Sequence, residues 1–218
     1  MTVFNIAVTA DTVCPFCYVA TKQIANAIGA YKAKNPASTS EFKVQWHPFF
    51  LAENPPKPSV NKRQYLIEKF GAEMLDRIYS SQEALGKEHN INFSKDGIIG
   101  DTKDSHRLIN YGGTKSPEIQ RKIISAVYKS HFEDGLDISS TETLSKIAGK
   151  AGLKEDEVLN WLNSNAGVRE VEEEAAGARA AGIKSVPNIV VSGHDIGTQR
   201  DVQSFLDVFQ KVEEVEKV

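Results

Sequence analysis

The chain has 218 residues, of which 40% are apolar and 25% charged, a composition typical of a globular protein with a sizeable core. With 26 basic and 29 acidic residues the formal net charge is -3, and no basic stripe follows the sequence, which argues against a nucleic-acid partner. No segment is apolar for long enough to cross a membrane. Because the sequence starts at Met1 without the leader of a secretory signal, we expect a cytoplasmic protein without a membrane partner.

The first predicted elements are a strand and a helix. Residues 3–9 alternate in polarity and are rich in β-branched side chains, which predicts a strand. Apolar residues at helical spacing then predict a helix over about residues 15–34. Pro15 suits the first helical position, because its missing N–H would have no partner there, and Cys14 is therefore the predicted N-cap.

Both cysteines of the chain, Cys14 and Cys17, lie at this junction between strand and helix. A disulfide across two residues closes too short a loop to stabilise the fold appreciably. Structural zinc normally needs four ligands, and the five histidines of the chain are scattered. Since a cytosolic Cys pair is more often catalytic or metal-binding than a lasting bridge, we predict a redox-active dithiol. A non-catalytic module that binds metal or switches a partner is the alternative.

The position of the two thiols predicts how they divide the chemistry. Unpaired backbone N–H groups and the helix dipole stabilise a thiolate at a helix N-terminus, which makes Cys14 the candidate nucleophile. Cys17 lies about one turn further along, within reach of the mixed disulfide that Cys14 would form with a substrate. The intervening Pro15-Phe16 carries neither a charge nor an imidazole, so the helix end and its neighbours must acidify the nucleophile.

A long helical region follows a second strand, which is predicted over residues 42–50. The proline-rich loop 54–58 is the first candidate domain boundary. The strand signal then disappears between about residues 60 and 157, and helical periodicity predicts helices over 65–70, 74–88, 104–112 and 118–132. Ser139 followed by Glu142 predicts a capping box for another helix.

The last part of the chain returns from helices to a strand. A short helix is predicted around Trp161, and an apolar stripe from Val168 onwards predicts a longer one that ends near Gly182. The strand signal reappears over residues 186–191. A turn at residues 192–195 leads to a final helix from about residue 199, for which Thr198 and Asp201 fit a cap.

Pro187 is the second informative position of the sequence. A proline at the start of a strand cannot donate to a central ladder, so it calls for an explanation. The simplest explanation is that the segment is an edge strand or the exit of a loop. Together with the upstream cysteines, however, Ser185-Val186-Pro187 looks like the cis-proline segment that lies opposite the Cys pair in thioredoxin folds.

Four segments, in the same order along the chain, resemble the DsbA-like thioredoxin family and, within it, the FrnE-like dithiol-disulfide oxidoreductases. They are DTVCPFCY at 11–18, DTKDSHRL at 101–108, HFEDGLDI at 131–138 and GIKSVPN at 182–188. The resemblance spans the whole chain. It implies an α/β protein with a thioredoxin fold and an inserted all-helical domain. Residues 1–58 and 158–218 would form the discontinuous thioredoxin-like domain, and residues 59–157 the insertion.

The resemblance also implies roles for individual residues. Cys14 would be the nucleophile, Cys17 the resolving thiol and Pro187 the cis-proline, while Val186 would offer backbone groups to an extended substrate. The implied activity is that of a thiol-disulfide oxidoreductase or isomerase, which exchanges disulfides with protein or small thiol substrates and needs no resident cofactor. The extra C-terminal cysteine pair of some relatives is absent from this sequence.

Two further residues are expected to contact substrate. Phe16 lies between the cysteines, and His106 belongs to the second matched segment, from which it would face the dithiol out of the helical domain. The plainer interpretation of His106 is a histidine on a helix surface or a hydrogen-bonded one in the core.

A second function stays open because two features also resemble the kappa-class glutathione transferases and hydroxychromene carboxylate isomerases. These features are the loop that begins at Asn54 and the run Thr198-Gln199-Arg200-Asp201. A helix N-terminus with Arg200 would suit a glutathione carboxylate. Asn54, Gln199 and Arg200 are therefore predicted to bind glutathione as a co-substrate, although those enzymes usually carry serine where Cys14 stands. Whether the protein forms a homodimer is left open.

Overall fold

The computed structural model describes residues 1–197 and 201–216, and it begins with the predicted strand and helix. Strand β1 covers Val3–Ala10, and helix α1 covers Pro15–Lys34. Alternate residues of β1 are buried, in keeping with a strand that turns one face to the core. Pro15 lies in the first turn of α1 and Cys14 is its N-cap, so this part of the sequence prediction is confirmed.

The main sheet of the described residues has the strand order β2-β1-β5-β6. Strand β2 (Glu41–Pro48) runs parallel to β1, whereas β5 (Asn188–Val191) runs antiparallel to it and pairs on its other side with β6 (His194–Asp195). Strand β1 is therefore central, and β2 is an edge strand. Strand β5 begins after Pro187 rather than at residue 186, because a proline has no N–H to give to the ladder.

Aromatic side chains fill the core beneath this sheet. The ring of Phe4 lies 4.7 Å from that of Phe42 and 4.8 Å from that of Phe209, measured between centroids. Phe209 belongs to the last helix, α9 (Val202–Glu216), and Tyr31 of α1 packs edge-on against the same cluster. The two ends of the chain thus meet in one hydrophobic core.

The segment between β2 and β5 is mostly helical, as predicted. Its helices are α2 (Lys62–Phe70), α3 (Ala72–His89), α4 (Lys103–Lys115), α5 (Pro117–Phe132), α6 (Thr141–Ala151), α7 (Glu155–Leu162) and α8 (Val168–Ala180). It also contains the strands β3 (Val60–Asn61) and β4 (Ile98–Ile99), which pair over two residues and are too short to leave an alternating pattern in the sequence. Each helix in the described part of the chain is too short or too polar to cross a lipid bilayer.

One predicted helix cap is wrong by one residue, and another lies partly outside the described residues. Ser140, not Ser139, caps α6, since its hydroxyl accepts a hydrogen bond from the N–H of Thr143 at 3.3 Å. Ser139 instead donates its N–H and its hydroxyl to the carboxylate of Asp137, at 2.9 and 2.6 Å. At α9 the carboxylate of Asp201 accepts from the N–H of residue 204 at 2.8 Å, whereas Thr198 lies outside the described residues.

Arg107 of α4 ties this helix to the loop after α7. The residue is 2% exposed, and its guanidinium lies over the ring of Trp161, 4.8 Å from the ring centroid. The guanidinium donates to the carboxylate of Asp104 at 2.6 Å. It also donates to the backbone carbonyls of Trp161, Leu162, Ser164 and Ala166. A planar group with five N–H donors is suited to such a set of acceptors.

Candidate active site

The two cysteines lie where α1 begins, and both are buried. Cys14 has an extended backbone, and its carbonyl accepts hydrogen bonds from the N–H groups of Cys17 and Tyr18 at 3.1 and 3.2 Å. The N–H of Cys14 donates in turn to the carbonyl of Asp11 at 3.1 Å. The Cys14 side chain is thereby held at the open end of the helix, where backbone N–H groups have no partner within the helix.

The environments of the two sulfurs shift their pKa values in opposite directions. The Cys17 thiol donates a hydrogen bond to the Cys14 sulfur and lowers the pKa of Cys14, with help from the N–H groups of Cys17 and Phe16. Burial and the negative charge of Asp11 oppose this effect. For Cys17, burial raises the pKa well above its ordinary value, and the hydrogen bond to Cys14 raises it further. The site therefore favours a thiolate at Cys14 and a protonated thiol at Cys17.

The segment before β5 lies against Cys14. The peptide bond between Val186 and Pro187 is cis, as the sequence predicts for this position. The Cys14 thiol donates to the carbonyl of Val186, with 3.6 Å between sulfur and oxygen. Because β5 pairs with β1, the same sheet holds this segment and the strand that leads to the cysteines. The structure thus brings together Cys14, Val186 and Pro187, which are far apart in sequence.

Two exposed apolar side chains belong to the segments that meet at the dithiol. The Phe16 side chain, between the two cysteines, is 50% exposed, and that of Leu51 is 46% exposed. The N–H of Leu51 donates to the carboxylate of Asp11 at 2.7 Å, so the chain after β2 is held close to the cysteine loop. Exposed apolar side chains beside a reactive sulfur form a surface on which a substrate can pack.

Asp11 is a residue of the site that the sequence analysis did not single out. Its carboxylate is 1% exposed, and its charge raises the pKa of both cysteines. The second oxygen of the Asp11 carboxylate lies 3.4 Å from Nε2 of the buried His106. Among the described residues, the hydrogen bonds of His106 lead to Asp11 and not to a cysteine. His106 therefore lies as the plainer interpretation has it, as a hydrogen-bonded histidine in the core.

Tyr128 of α5 is a second residue that sequence reasoning missed. It is 1% exposed, its hydroxyl donates to the carbonyl of Asp11 at 3.2 Å, and its ring stacks on that of Tyr18 at 5.4 Å. Burial and the nearby charges of Cys17 and Cys14 raise the pKa of Tyr128 well above its ordinary value. The phenol therefore remains a hydrogen-bond donor. Within an amphipathic helix, a tyrosine of this kind cannot be distinguished from a core residue by its spacing.

Of the residues predicted to bind glutathione, only Asn54 is among the described residues, and no hydrogen bond there joins it to either cysteine. Asn54 is exposed in the loop after β2 and lines a shallow cleft with Tyr65 and Lys69 of α2. Gln199 and Arg200 lie outside the described residues. Within residues 1–197 and 201–216, no three His, Cys, Asp or Glu side chains are placed to hold a metal ion.

Comparison with known proteins identifies the fold around this site. The profile of the DSBA-like thioredoxin domain matches residues 5–210, while no curated protein matches the chain. The structure of the probable DsbA oxidoreductase from Streptomyces coelicolor superposes with a TM-score of 0.83 at 21% identity, covering 97% of this chain and 90% of that one.

Two other solved structures with low identity share the fold. For 2-hydroxychromene-2-carboxylate isomerase the TM-score is 0.67 at 12% identity, with 97% of this chain and 95% of that chain covered. For the cytosolic disulfide reductase DsbM from Pseudomonas aeruginosa, whose structure includes glutathione, the TM-score is 0.62 at 12% identity, with 95% and 99% covered. At such identities the likeness concerns the fold and leaves the reaction open.

Proposed function

The chain belongs to the DSBA-like thioredoxin domain family, and on this basis we propose that it is a thiol-disulfide oxidoreductase that works through Cys14 and Cys17. The unequal environment of the two thiols is the observation that carries the proposal. A lowered pKa at Cys14 and a raised pKa at Cys17 are what a nucleophile and a resolving thiol require.

In the reducing direction the Cys14 thiolate attacks one sulfur of a substrate disulfide. A mixed disulfide forms on Cys14, and the other substrate sulfur leaves as a thiolate. Cys17 then loses its proton and attacks the Cys14 sulfur, so the second substrate thiolate leaves and a Cys14–Cys17 disulfide remains. Two electrons have passed from the protein to the substrate, and the reverse sequence oxidises a substrate dithiol.

The surroundings of Cys14 support a substrate in an extended conformation. The Val186 carbonyl, which accepts from the Cys14 thiol, becomes available to a substrate N–H once the sulfur is part of a mixed disulfide. Phe16 and Leu51 would cover apolar side chains on either side of the substrate disulfide. Both protein disulfides and small-molecule disulfides fit this description. We propose glutathione as a co-substrate. We also propose that the protein acts in the cytoplasm.

The test is to trap the intermediate with single-cysteine variants. Cys17→Ser should accumulate a mixed disulfide on Cys14 with an oxidised model protein or with oxidised glutathione, which mass spectrometry of the intact protein detects. Cys14→Ser is the matched control and should form no such adduct, because Cys17 is fully buried and its pKa is raised. The absence of an adduct on Cys17→Ser would refute the proposal.

The potential of the dithiol is a second test. Because Pro15-Phe16 contributes neither a charge nor an imidazole, we expect a weaker oxidant than the Cys-Pro-His-Cys members of the wider family. Equilibration with glutathione buffers should give a potential clearly below about -120 mV. A value at or above this figure would contradict the expectation.

A glutathione-dependent transferase or isomerase is the second candidate, because hydroxychromene carboxylate isomerase shares the fold. Such an enzyme needs no resolving thiol. Cys17→Ser would therefore keep full turnover of a conjugation or isomerisation substrate, whereas an oxidoreductase would stop at the mixed disulfide.

A further inference from the structure

Strand β2 leaves half of its backbone hydrogen-bonding groups unused along one edge. The N–H of Glu41 donates to Thr2 and that of Phe49 to Ala10, so odd-numbered residues turn their groups toward β1. In a parallel pair, alternate residues face opposite neighbours. The N–H and C=O groups of Phe42, Val44 and Trp46 therefore point outward, and they make no hydrogen bond within the described residues.

The outward edge has a defined end. Pro48, two residues after Trp46, also faces outward, and it has no N–H. An outward-facing position of an edge strand is where a proline is tolerated. Between Phe42 and Trp46 the open edge spans about 13 Å at ~3.3 Å per residue. An added strand of about five residues would pair with it.

Two clefts meet at this edge, one on each face of the sheet. The first has a volume of about 810 Å³ and lies toward α4 and α8, and the second has about 600 Å³ and lies toward α1 and α5. Both are lined by Val44, Trp46, Pro117 and Gln120. Successive side chains of a strand point to opposite faces, so a strand added to β2 would place them alternately in the two clefts.

The first cleft, called here the acidic cleft, has an excess of negative charge. Glu170 and Glu174 line it; Glu174 binds His47 at 2.6 Å, while Glu170 makes no ion pair within the described residues. The cleft is also lined by Arg107, whose donors are used by Asp104 and by backbone carbonyls. A basic side chain entering this cleft would find an unpaired carboxylate.

The second cleft, called here the basic cleft, has the opposite charge. Lys22, Lys32 and Arg121 line it, and none of them has a carboxylate within 4.0 Å among the residues that the structure describes. Its one acidic side chain, Glu118, is paired with Lys122 at 2.9 Å. An acidic side chain entering this cleft would meet uncompensated positive charge.

We propose that the open edge of β2 binds an extended polypeptide segment as an added strand, with basic side chains in the acidic cleft and acidic side chains in the basic cleft. Strand addition obtains its affinity from main-chain hydrogen bonds and its specificity from pockets for alternate side chains. The inference deepens the proposed function and rests on it, because it makes a polypeptide the client of the dithiol. The segment recognised has alternating charges.

Binding of cysteine-free peptides tests this proposal independently of redox activity. A labelled peptide of alternating lysine and glutamate should bind the wild-type protein about tenfold more tightly than a peptide of equal composition with its charges in blocks of two. Fluorescence anisotropy measures both affinities. In hydrogen exchange, the bound peptide should protect the amides of Phe42, Val44 and Trp46.

Val44→Pro removes the central outward N–H and leaves the hydrogen bonds between β2 and β1 in place. It should weaken binding of the alternating peptide about tenfold. Val44→Ala keeps this N–H and is the matched control, and it should lose clearly less affinity than Val44→Pro. Should Val44→Pro fail to fold, Lys32→Glu combined with Arg121→Glu reverses the basic cleft and should abolish the preference for alternating charges.

The outcomes separate this inference from the proposed function. Equal affinity for the two peptides, or unchanged binding by Val44→Pro, would overturn the inference and leave the trapping of a mixed disulfide by Cys17→Ser unaffected. Protection of the same amides on self-association, without peptide, would also overturn it and assign the edge to a second copy of the chain. Exchange with oxidised glutathione should be the same for Val44→Pro and the wild type.

Discussion

Two buried polar regions of the helical segment differ in how completely their hydrogen bonds are made. In the first turn of α4, Ser105 bonds Thr12 at 2.8 Å, His106 faces Asp11 and the donors of Arg107 have acceptors. The second region contains Lys62 and His131. Lys62 donates to a backbone carbonyl at 2.9 Å, but Nδ1 of His131 has no hydrogen-bond partner among the described residues.

The difference shows what buried polar groups can contribute. The α4 turn contacts the cysteine loop on one side and the loop after α7 on the other, so its hydrogen bonds hold the helical segment against the active site. In the second region, burial and the charge of Lys62 lower the pKa of His131 to about 3, and burial lowers that of Lys62 to about 8. An unpartnered buried group costs stability and makes the fold sensitive to pH.

At neutral pH, loss of the Arg107 contacts should give the largest effect. Arg107→Lys leaves several carbonyls without a donor, so we expect the free energy of unfolding to fall by about 3 kcal/mol. Urea denaturation measures this. Arg77→Lys is the matched control, because Arg77 forms an exposed pair with Glu73 at 2.7 Å, and it should change the stability by no more than about 0.5 kcal/mol. Equal losses in the two variants would show that the α4 turn is not special.

In the second region, His131 should make the free energy of unfolding depend on pH. Its folded pKa of about 3 lies below the unfolded value of about 6.5, so the unfolded chain binds an extra proton between these values. Stability is therefore retained above pH ~6.5 and falls with decreasing pH by up to about 1.4 kcal/mol per unit.

His131→Leu should remove this contribution and flatten the fall in stability between pH ~6.5 and pH ~4, as measured by denaturation at a series of pH values. His194→Gln alters an exposed histidine and should keep the wild-type slope. If His131→Leu and the wild type lose stability in parallel, the orphaned imidazole is not the cause.

A smaller effect is expected where the α4 turn meets the dithiol. Asp11→Asn removes a negative charge that raises the pKa of both cysteines, so the pKa of Cys14 should fall further. The ultraviolet absorbance of the thiolate, followed against pH, reports the change. Asp76→Asn, on an exposed face of α3, should leave the titration where it is. An unchanged titration of Asp11→Asn would mean that the carboxylate does not act on the thiols.

The smallest expected effect comes from Tyr128→Phe. The variant loses one hydrogen bond to the Asp11 carbonyl but keeps the stacked ring, which should cost about 1 kcal/mol of unfolding free energy. Tyr65→Phe, with a hydroxyl that makes no hydrogen bond within the described residues, should cost less. A larger loss for Tyr65→Phe would contradict the assignment of the Tyr128 hydroxyl.

Local signals in the sequence predicted the parts of the site that depend on local chemistry. Cys14 at a helix N-terminus follows from Pro15 and from the change in periodicity, whereas the cis bond before Pro187 was expected from the resemblance to thioredoxin folds. The loss of the strand signal in one long stretch of the chain predicted the helical segment, and the resemblance to the DsbA-like family implied the thioredoxin fold around it.

Contacts between distant segments were beyond such reasoning. Tyr128 lies in the apolar stripe of its helix, where the sequence does not show that its hydroxyl makes a specific hydrogen bond. Asp11 has no sequence feature that separates it from an ordinary acidic residue at the end of a strand. The cap of α6 was wrong by one residue because Asp137 competes for Ser139, a choice that spacing cannot show. The outward register of β2 likewise depends on which strand lies beside it.

The pairing of β1 with β5 has a consequence for the order in which the protein is made. Cys14 leaves the ribosome 172 residues before Val186, which leads into the strand that pairs with β1 and carries Pro187 to Cys14. Until then one side of β1 lacks its partner and Cys14 lacks the contact with Val186. The nascent chain therefore presents its reactive thiols to the translation environment long before the folded site can protect them.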